Sequence, residues 1–316
     1  MVAGVLSDAR GDILLTQRPA GKHLAGLWEF PGGKCEPGEP AEAALRRELR
    51  EEIGIEVGAV EPLIALPWRY SEKSIFLDVY RILAHAGELH GREGQALRWA
   101  AVDKLADIAM PSADRPVVAA LRLPRHYVIT PEPGNDDASF LRGLARVLDS
   151  GAKLVQLRGK QVAPVRLRML AQAARELAAK AGAGLLINSH IDLAQELALD
   201  GVHLPVAELM RSRLRPLGND RWVAASCHDE RELAQAAAIG VDFATLGPVQ
   251  ITASHPGAVV LGWSRFAQLC SAAPFPVYAL GGLGPADVPQ AIAAGAQGIA
   301  GISAYWSVAA GANSVL

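Results

Sequence analysis

The sequence predicts an α/β protein of two domains, and three observations carry that reading. Eight short apolar runs alternate with helical stretches from about residue 126 to residue 302, which predicts parallel strands closed into a (β/α)8 TIM barrel. The composition shifts after about residue 122, in a chain whose 316 residues suffice for two ordinary domains. Ahead of that shift, a loop rich in proline and glycine runs into one amphipathic helix that stands outside the strand–helix repeat. Domain limits are therefore expected at residues 1–122 and 126–316.

Val2 to Leu6 reads as the opening strand. Pro37-Gly38-Glu39-Pro40 is loop chemistry, and Pro40 suits the first position of a helix. Ala41 to Ile53 holds strong helix formers and no breaker, and Gly54 is a good terminator. Leu45, Leu49 and Ile53 recur at four-residue spacing and make a buried stripe. Glu48, Glu51 and Glu52 fall together on an adjoining face, since residues three and four apart are helix neighbours. With Glu39 they surround Arg47, which can hold Glu39 or Glu51 by a forked ion pair. A solvated acidic helix is the plain alternative. Crowded carboxylates are costly unless a cation neutralises them, so the pattern points to a divalent metal and to phosphate chemistry. Leu121 to Arg125 reads as a helix end and a short linker.

The second half gives strands at Tyr127–Thr130, Leu154–Arg158, Leu185–Asn188, Gly201–Leu204, Trp222–Ser226, Phe243–Gly247, Val277–Gly281 and Gly298–Ile302. Helices are expected over Ala138–Leu148 and around Leu167–Ala181, with a short last one near Ser307–Ala312. Polar residues gather at the strand C-terminal ends, where barrel sites lie: Gln156, Arg158, Lys160, Asn188, His203, Ser226, His228, Thr252, Ser254 and Ser303. Gly281-Gly282 and Ile302-Ser303 follow the last two strands, the usual place for a phosphate cradle of backbone N–H groups. Each residue taken singly is equally a cap or a turn; the set together reads as a ligand site.

The string from Gly33 to Ile55 fits the Nudix box at every defined position: Gly33, Glu39, Arg47, Glu48, Leu49, Glu51, Glu52, Gly54 and Ile55. Its flanks resemble the MutT type, the 8-oxo-dGTP diphosphatases, in Leu14-Leu15-Thr16-Gln17-Arg18, in Leu27 to Lys34 and in Gly91-Arg92-Glu93-Gly94-Gln95. The resemblance implies an α/β/α sandwich with a mixed sheet. It also implies hydrolysis of a nucleoside diphosphate linked to another moiety with Mg2+ or Mn2+. Carried over by position, it makes Glu48, Glu51, Glu52, Glu93 and the Gly32 carbonyl metal ligands, with one glutamate activating water. Arg18 and His23 match nucleotide-contacting positions, and Phe30 lines either the base pocket or the core. Asp114 stands where the bacterial family reads oxidised guanine with an asparagine. A protonated Asp can donate and accept, an ionised one only accepts, and an N-cap role before Arg115–Leu123 competes. The chain opens directly on its first strand, where members of this family have several residues more, so that strand is expected to begin earlier than residue 1.

The second half resembles the thiamine-phosphate synthase/TenI family. The matching pieces are Gln156-Leu157-Arg158-Gly159-Lys160, Ile187-Asn188, Asp200 to Leu204, Ser226-Cys227-His228, Gly247-Pro248-Val249 and Leu280 to Leu283. The resemblance implies a site for a thiazole or pyrimidine phosphate built from Gln156, Arg158, Lys160, Asn188, Ser226, His228, Thr252, Gly282 and Ser303. Three positions depart from the synthase pattern. Ser189 replaces an Mg2+-binding Asp, Pro205-Val206-Ala207-Glu208 replaces G-Q-x-D, and His255 replaces a lysine. Diphosphate handling is thereby weakened, with Glu208 a substitute ligand. His228 is retained for TenI-like proton transfer, and a binding-only barrel is the other reading.

The remaining composition narrows the partners. Net charge is −2 with dispersed basic residues, which argues against nucleic acid and membrane surfaces and for a small-molecule substrate. Three cysteines without close pairs, Cys35, Cys227 and Cys270, fit a reducing cytoplasm rather than a disulfide framework. No apolar run reaches the roughly 18 residues of a spanning helix, and no signal-like segment opens the chain. A homo-oligomer is left open.

Overall fold

The computed structural model describes residues 1–252, 257 and 259–306. Ser254, His255 and the helix expected near residues 307–312 lie outside the described residues. The chain divides into two compact units, Met1–Arg122 and Leu123–Leu316.

The first unit contains β1 (Val2–Leu6), β2 (Ile13–Gln17), β3 (Trp28–Glu29), β4 (Gly32–Gly33), α1 (Ala41–Ile53), β5 (Glu56–Val57), β6 (Val60–Arg69), β7 (Ser74–Ile82), β8 (His85–Ala86), β9 (Leu97–Ala100) and α2 (Arg115–Arg122). Its main sheet runs β4-β1-β7-β6, and it is mixed because β1 is parallel to β7 and antiparallel to β4. A second sheet runs β3-β2-β9. Alternation along β1 explains the layering. Val2 and Leu6 join Leu45, Leu49 and Ile53 of α1 in one apolar cluster. Ala3 and Val5 join Val117 and Ala120 of α2 in the other. The result is the α/β/α sandwich. Each fully buried leucine or isoleucine of the α1 stripe contributes about 1.5–3 kcal/mol. Leu49→Ala would break that seam first, at about 2–5 kcal/mol, because Gly4 on β1 leaves room only for the Leu49 side chain as it stands.

Helix α1 keeps its expected span and ends on Gly54 at φ 77°, a left-handed stop that favours glycine. Its start differs by one residue. Pro40 is the flanking cap with extended ψ of 143°, and its carbonyl accepts from Ala44 N at 3.0 Å. The helix therefore opens without a side-chain cap, directly out of the Pro-Gly loop.

The second unit is a closed barrel of β10 (His126–Ile129), β11 (Leu154–Leu157), β12 (Gly184–Asn188), β13 (Gly201–Leu204), β14 (Trp222–Cys227), β15 (Phe243–Leu246), β16 (Val277–Leu280) and β17 (Gly298–Gly301). All eight neighbouring pairs are parallel. The helices α3 (Asp137–Asp149), α4 (Pro164–Lys180), α5 (Ile191–Glu196), α6 (Val206–Arg211), α7 (Glu230–Ile239), α8 (Gly262–Cys270), α9 (Val288–Ala293) and α10 (Ser303–Trp306) lie between and after the strands. Strand residues facing the helices, such as Val155, Ile187, Val202 and Val223, form one apolar shell with them. The alternate residues face inward. There Tyr127, Phe243 and Tyr278 pack ring on ring, with centroids 5.3–5.6 Å apart, and plug the barrel.

Candidate functional site

Arg47 organises the acidic face of α1. Its guanidinium grips Glu39 with two bonds, Nε to Oε1 at 3.0 Å and Nη2 to Oε2 at 2.8 Å. Nη1 also reaches Glu48 Oε1 at 3.0 Å and Glu51 Oε2 at 3.4 Å, while Nη2 donates to the Lys34 carbonyl at 3.0 Å. One planar cation thus ties the loop before the helix to the helix itself. Hydrogen bonds from Arg47 and from Glu36 N–H hold the Glu39 carboxyl below the usual range. The bonds to Glu39 and Glu48 push Arg47 up.

Glu52 lies deeper. Its Oε2 accepts from Gly32 N at 2.8 Å, which carries the β4 backbone onto the helix. Burial pushes its carboxyl up to about 7; the Gly32 N–H opposes the shift, and the charges of Glu29 and Glu93 add to it. Close backbone approach requires a glycine at 32, and at 33 a glycine leaves the Glu48 carboxylate in its place. A Cβ on Gly33 would sit 2.1 Å from Glu48 Oε2, and one on Gly32 would sit 2.2 Å from the Val2 carbonyl. Glu93 arrives on the loop 91–95. Arg92 N and Gln95 Nε2 both donate to the Glu52 carbonyl, at 3.0 and 2.8 Å, so that loop is clipped to the end of α1. The Glu93 carboxyl itself meets Lys22 Nζ at 2.6 Å.

A pocket opens from these glycines. Arg18, His23, Glu29, Phe30, Tyr70 and Asp114 line it together with Gly32 and Gly33. Arg18 pairs with Glu29, and its Nε donates to the His23 carbonyl at 2.7 Å. Phe30 belongs to both candidate roles: it is 4% exposed within the core and it borders the pocket. Asp114 is 7% exposed. It closes a 3-10 turn, Ser112–Asp114, that runs straight into α2. A capping residue needs non-helical backbone, so the N-cap expectation is corrected. Burial, reinforced by the Glu29 charge and opposed by Arg18, holds the Asp114 carboxyl well above the carboxylate range. Glu29 and Tyr70 were not anticipated. The only sequence trace was the position of Glu29 between two aromatic residues.

In the barrel, the inward polar residues form two short chains. Gln156 Nε2 donates to Asn188 Oδ1 at 3.1 Å, and Asn188 Nδ2 donates to Ser189 Oγ at 2.9 Å. Tyr127 Oη lies 3.1 Å from His203 Nδ1, and His203 Nε2 lies 2.8 Å from Ser226 Oγ. His203 was expected among the residues of the mouth. It is instead 2% exposed inside the barrel, where burial depresses its pKa to about 3. Arg158 and Lys160 sit on a loop stapled by Glu132, which accepts from Lys160 N at 3.0 Å and Gln161 N at 2.7 Å. Glu132 was missed because nothing in a lone Glu after a strand marks it as a staple. His228 stands apart, exposed, with Nδ1 2.8 Å from Glu232 Oε2. Gly282 (φ 70°) would bring a Cβ within 2.5 Å of the Ile251 carbonyl, so the loop carrying Thr252 packs directly on the glycine pair. Ser303 is exposed at the start of α10. Glu208 Oε2 is buried without a hydrogen-bond partner, as is Thr245 Oγ1.

The thiamine monophosphate synthase family matches residues 126–305, and the NUDIX domain family matches residues 2–120. The chain is 40% identical over 119 residues to the CTP pyrophosphohydrolase of Escherichia coli (strain K12), covering 38% of this chain and 88% of that protein. It is 34% identical over 122 residues to the 8-oxo-dGTP diphosphatase of the same strain, covering 39% of this chain and 95% of that protein. Over 185 residues it is 35% identical to the thiamine-phosphate synthase of Azoarcus sp. (strain BH72), covering 58% of this chain and 89% of that protein. The chain belongs to the Nudix hydrolase family and to the thiamine-phosphate synthase/TenI family.

The Nudix unit is a hydrolase domain of the MutT type, and its family uses a divalent metal. The side chains here suit one in kind. All four glutamates offer oxygen, and the Glu52 carboxyl is buried within reach of the Glu29 and Glu93 charges. Among the described residues, no three Asp, Glu, His or Cys side chains converge closely enough to hold an ion as they stand. The reason is visible: Arg47 draws Glu48 and Glu51, and Lys22 draws Glu93. In the synthase/TenI barrel, Ser189 adopts φ 72° and is committed to Asn188, and it offers no carboxylate. Among the described residues, no helix is long and apolar enough to cross a membrane.

Proposed function

We propose that the Nudix unit is a Mg2+-dependent pyrophosphohydrolase of oxidised nucleoside triphosphates, releasing the monophosphate and pyrophosphate, with 8-oxo-dGTP as its leading substrate. The observation that carries this is the single pocket running from Asp114 to Gly32 and Gly33, which touch Glu52 and Glu48. A base held beside Asp114 would direct its phosphates toward the two glycines and the carboxylates they touch. Burial pushes the Asp114 carboxyl toward its acid form, which would carry one donor and one acceptor on the same group. That pair complements the O6 acceptor and N7–H donor of 8-oxoguanine, whereas guanine itself offers an acceptor at N7.

In this reading Glu48, Glu51, Glu52, Glu93 and the Gly32 carbonyl hold Mg2+, which when bound would polarise the phosphoryl oxygens and acidify a water. Arg47 positions Glu39, Glu48 and Glu51, and one glutamate takes the proton of the attacking water. The water oxygen bonds to phosphorus as the anhydride oxygen leaves. Arg18, braced by Glu29, and His23 border the nucleotide. The test is pyrophosphate release from 8-oxo-dGTP, dGTP and CTP by the full chain, with and without chelator. Equal turnover of 8-oxo-dGTP and dGTP would sink the specificity.

Cytosine nucleotides are a second reading, supported by the 40% identity to a CTP pyrophosphohydrolase and by the same acid group, which also complements cytosine N3 and N4–H2. The fused barrel supports a third: the hydrolase clears damaged thiamine diphosphates while the barrel binds a thiazole or pyrimidine phosphate. Absence of cleavage and binding across thiamine-pathway phosphates would remove it.

A further inference from the structure

We infer that Tyr127 fixes the tautomer of His203 and thereby turns Ser226 into a hydrogen-bond donor aimed at an oxyanion in the barrel mouth. The inference rests on the reading that this mouth takes a phosphorylated ligand.

The argument is an accounting of protons. Tyr127, His203 and Ser226 form one line of contacts, 3.1 Å from the phenol to Nδ1 and 2.8 Å from Nε2 to the serine oxygen. Tyr127 is 0% exposed and His203 2% exposed, so neither can turn to solvent for a partner. A neutral imidazole carries one N–H and one bare nitrogen. If the proton were on Nδ1, it would point at the phenol oxygen, and the Tyr127 O–H would need another acceptor. Among the described residues His203 is the one hydrogen-bond partner the phenol has. That arrangement leaves a buried O–H unsatisfied, which is costly. The opposite arrangement satisfies both buried side chains, Tyr127 and His203. Tyr127 O–H donates to Nδ1, the proton sits on Nε2, and Nε2–H donates to Ser226 Oγ.

The consequence falls on Ser226. Its oxygen is occupied as an acceptor by an imidazole N–H, so its own proton is free to be given away. The same geometry denies Ser226 a base, which excludes it as a nucleophile activated by His203. Ser226 is half-buried near the C-terminal end of β14, the face where barrel ligands bind. A phosphoryl oxygen, which only accepts, is the complement of a hydroxyl whose proton is left free to donate. Tyr127 and His203 are positioning residues here, since neither touches the ligand.

The test is nitrogen NMR of the imidazoles in the full chain with chelator present, the His203 signals being assigned by their loss in His203→Asn. The expected result is a protonated Nε2 and a bare Nδ1, constant from pH 5 to 8, with the Nε2 resonance moving on addition of inorganic pyrophosphate. Reading the titration from that resonance separates the barrel from binding in the Nudix unit. Tyr127→Phe should abolish the single tautomer and weaken pyrophosphate binding about three- to tenfold. Ser226→Ala should weaken it similarly, and the double variant no further. A wild-type proton on Nδ1, or an unchanged tautomer in Tyr127→Phe, overturns the inference without touching the reading of the mouth. The expected tautomer with no response to pyrophosphate overturns the ligand reading and leaves the proton order standing. Tyr127→Phe retaining the wild-type affinity overturns the coupling to Ser226.

Discussion

Glu52→Gln removes a charge that the fold holds at a cost, and the size of that cost follows from its burial. The carboxyl is pushed from 4.5 up to about 7, mainly by burial. Below pH 4.5 it is protonated in both folded and unfolded chains, and its contribution is complete. Between 4.5 and about 7 the folded chain keeps a proton that the unfolded chain has lost, so stability falls as pH rises. Above that window the shift of about 2.5 units amounts to about 3 kcal/mol. A glutamine keeps the acceptor for Gly32 N–H and carries no charge. Chelator-treated Glu52→Gln should therefore exceed the parent by about 3 kcal/mol at pH 8 and match it at pH 4.5. The assay is urea unfolding of the full chain, with amide exchange in α1 reporting the Nudix unit separately from the barrel. Mg2+ at pH 8 should stabilise the parent and leave the variant unmoved, and the variant should lose pyrophosphate release. Equal stability of the two chelated proteins at pH 8 would refute the reasoning, because the buried charge would then have been compensated all along.

Asp114→Asn retains one donor and one acceptor, so turnover of the preferred nucleotide should stay within about tenfold, while Asp114→Leu should lose discrimination between bases by about 1–3 kcal/mol in kcat/KM. Arg47→Lys exchanges a five-donor fork for a point charge; kcat should fall about tenfold or more with the far-UV circular dichroism unchanged. Gly33→Ala places a methyl 2.1 Å from Glu48 Oε2, so Glu48 must swing away, and calorimetry should show Mg2+ binding weakened about tenfold or more in a folded protein. His203 titrates at about 3 when folded against 6.5 when unfolded, so its contribution is present above pH 6.5 and is lost as pH falls. Acid unfolding of the barrel should steepen by about 1.4 kcal/mol per pH unit in that window, and His203→Gln should flatten it.

Much of the fold was legible because periodicity is local. The four-residue spacing of Leu45, Leu49 and Ile53 could bury itself only on a helix, and the glycine after it could only end one. Eight apolar runs with helical spacers had one economical closure, and the parallel registers from β10 to β17 follow it. Boundaries moved by a residue or two where a cap decided them, as at Pro40. The Asp114 cap was misjudged because a 3-10 turn before α2 depends on what the segment packs against, and no spacing encodes that.

The sequence by itself determined which groups can carry charge and chemistry: the glutamates of α1, the arginine among them, the glycines that must lie beneath them, and the polar residues ending each barrel strand. Tertiary structure decided which of those groups meet. It turned Glu48, Glu51 and Glu93 toward cations, buried Asp114 in the wall of the pocket that Gly32 also lines, and sank His203 between a phenol and a serine. The physical reason is range. Helix and strand preferences act over a few residues, whereas burial and the company of distant charges are set only when remote segments pack together, and those two effects fix every protonation state on which the proposed chemistry turns.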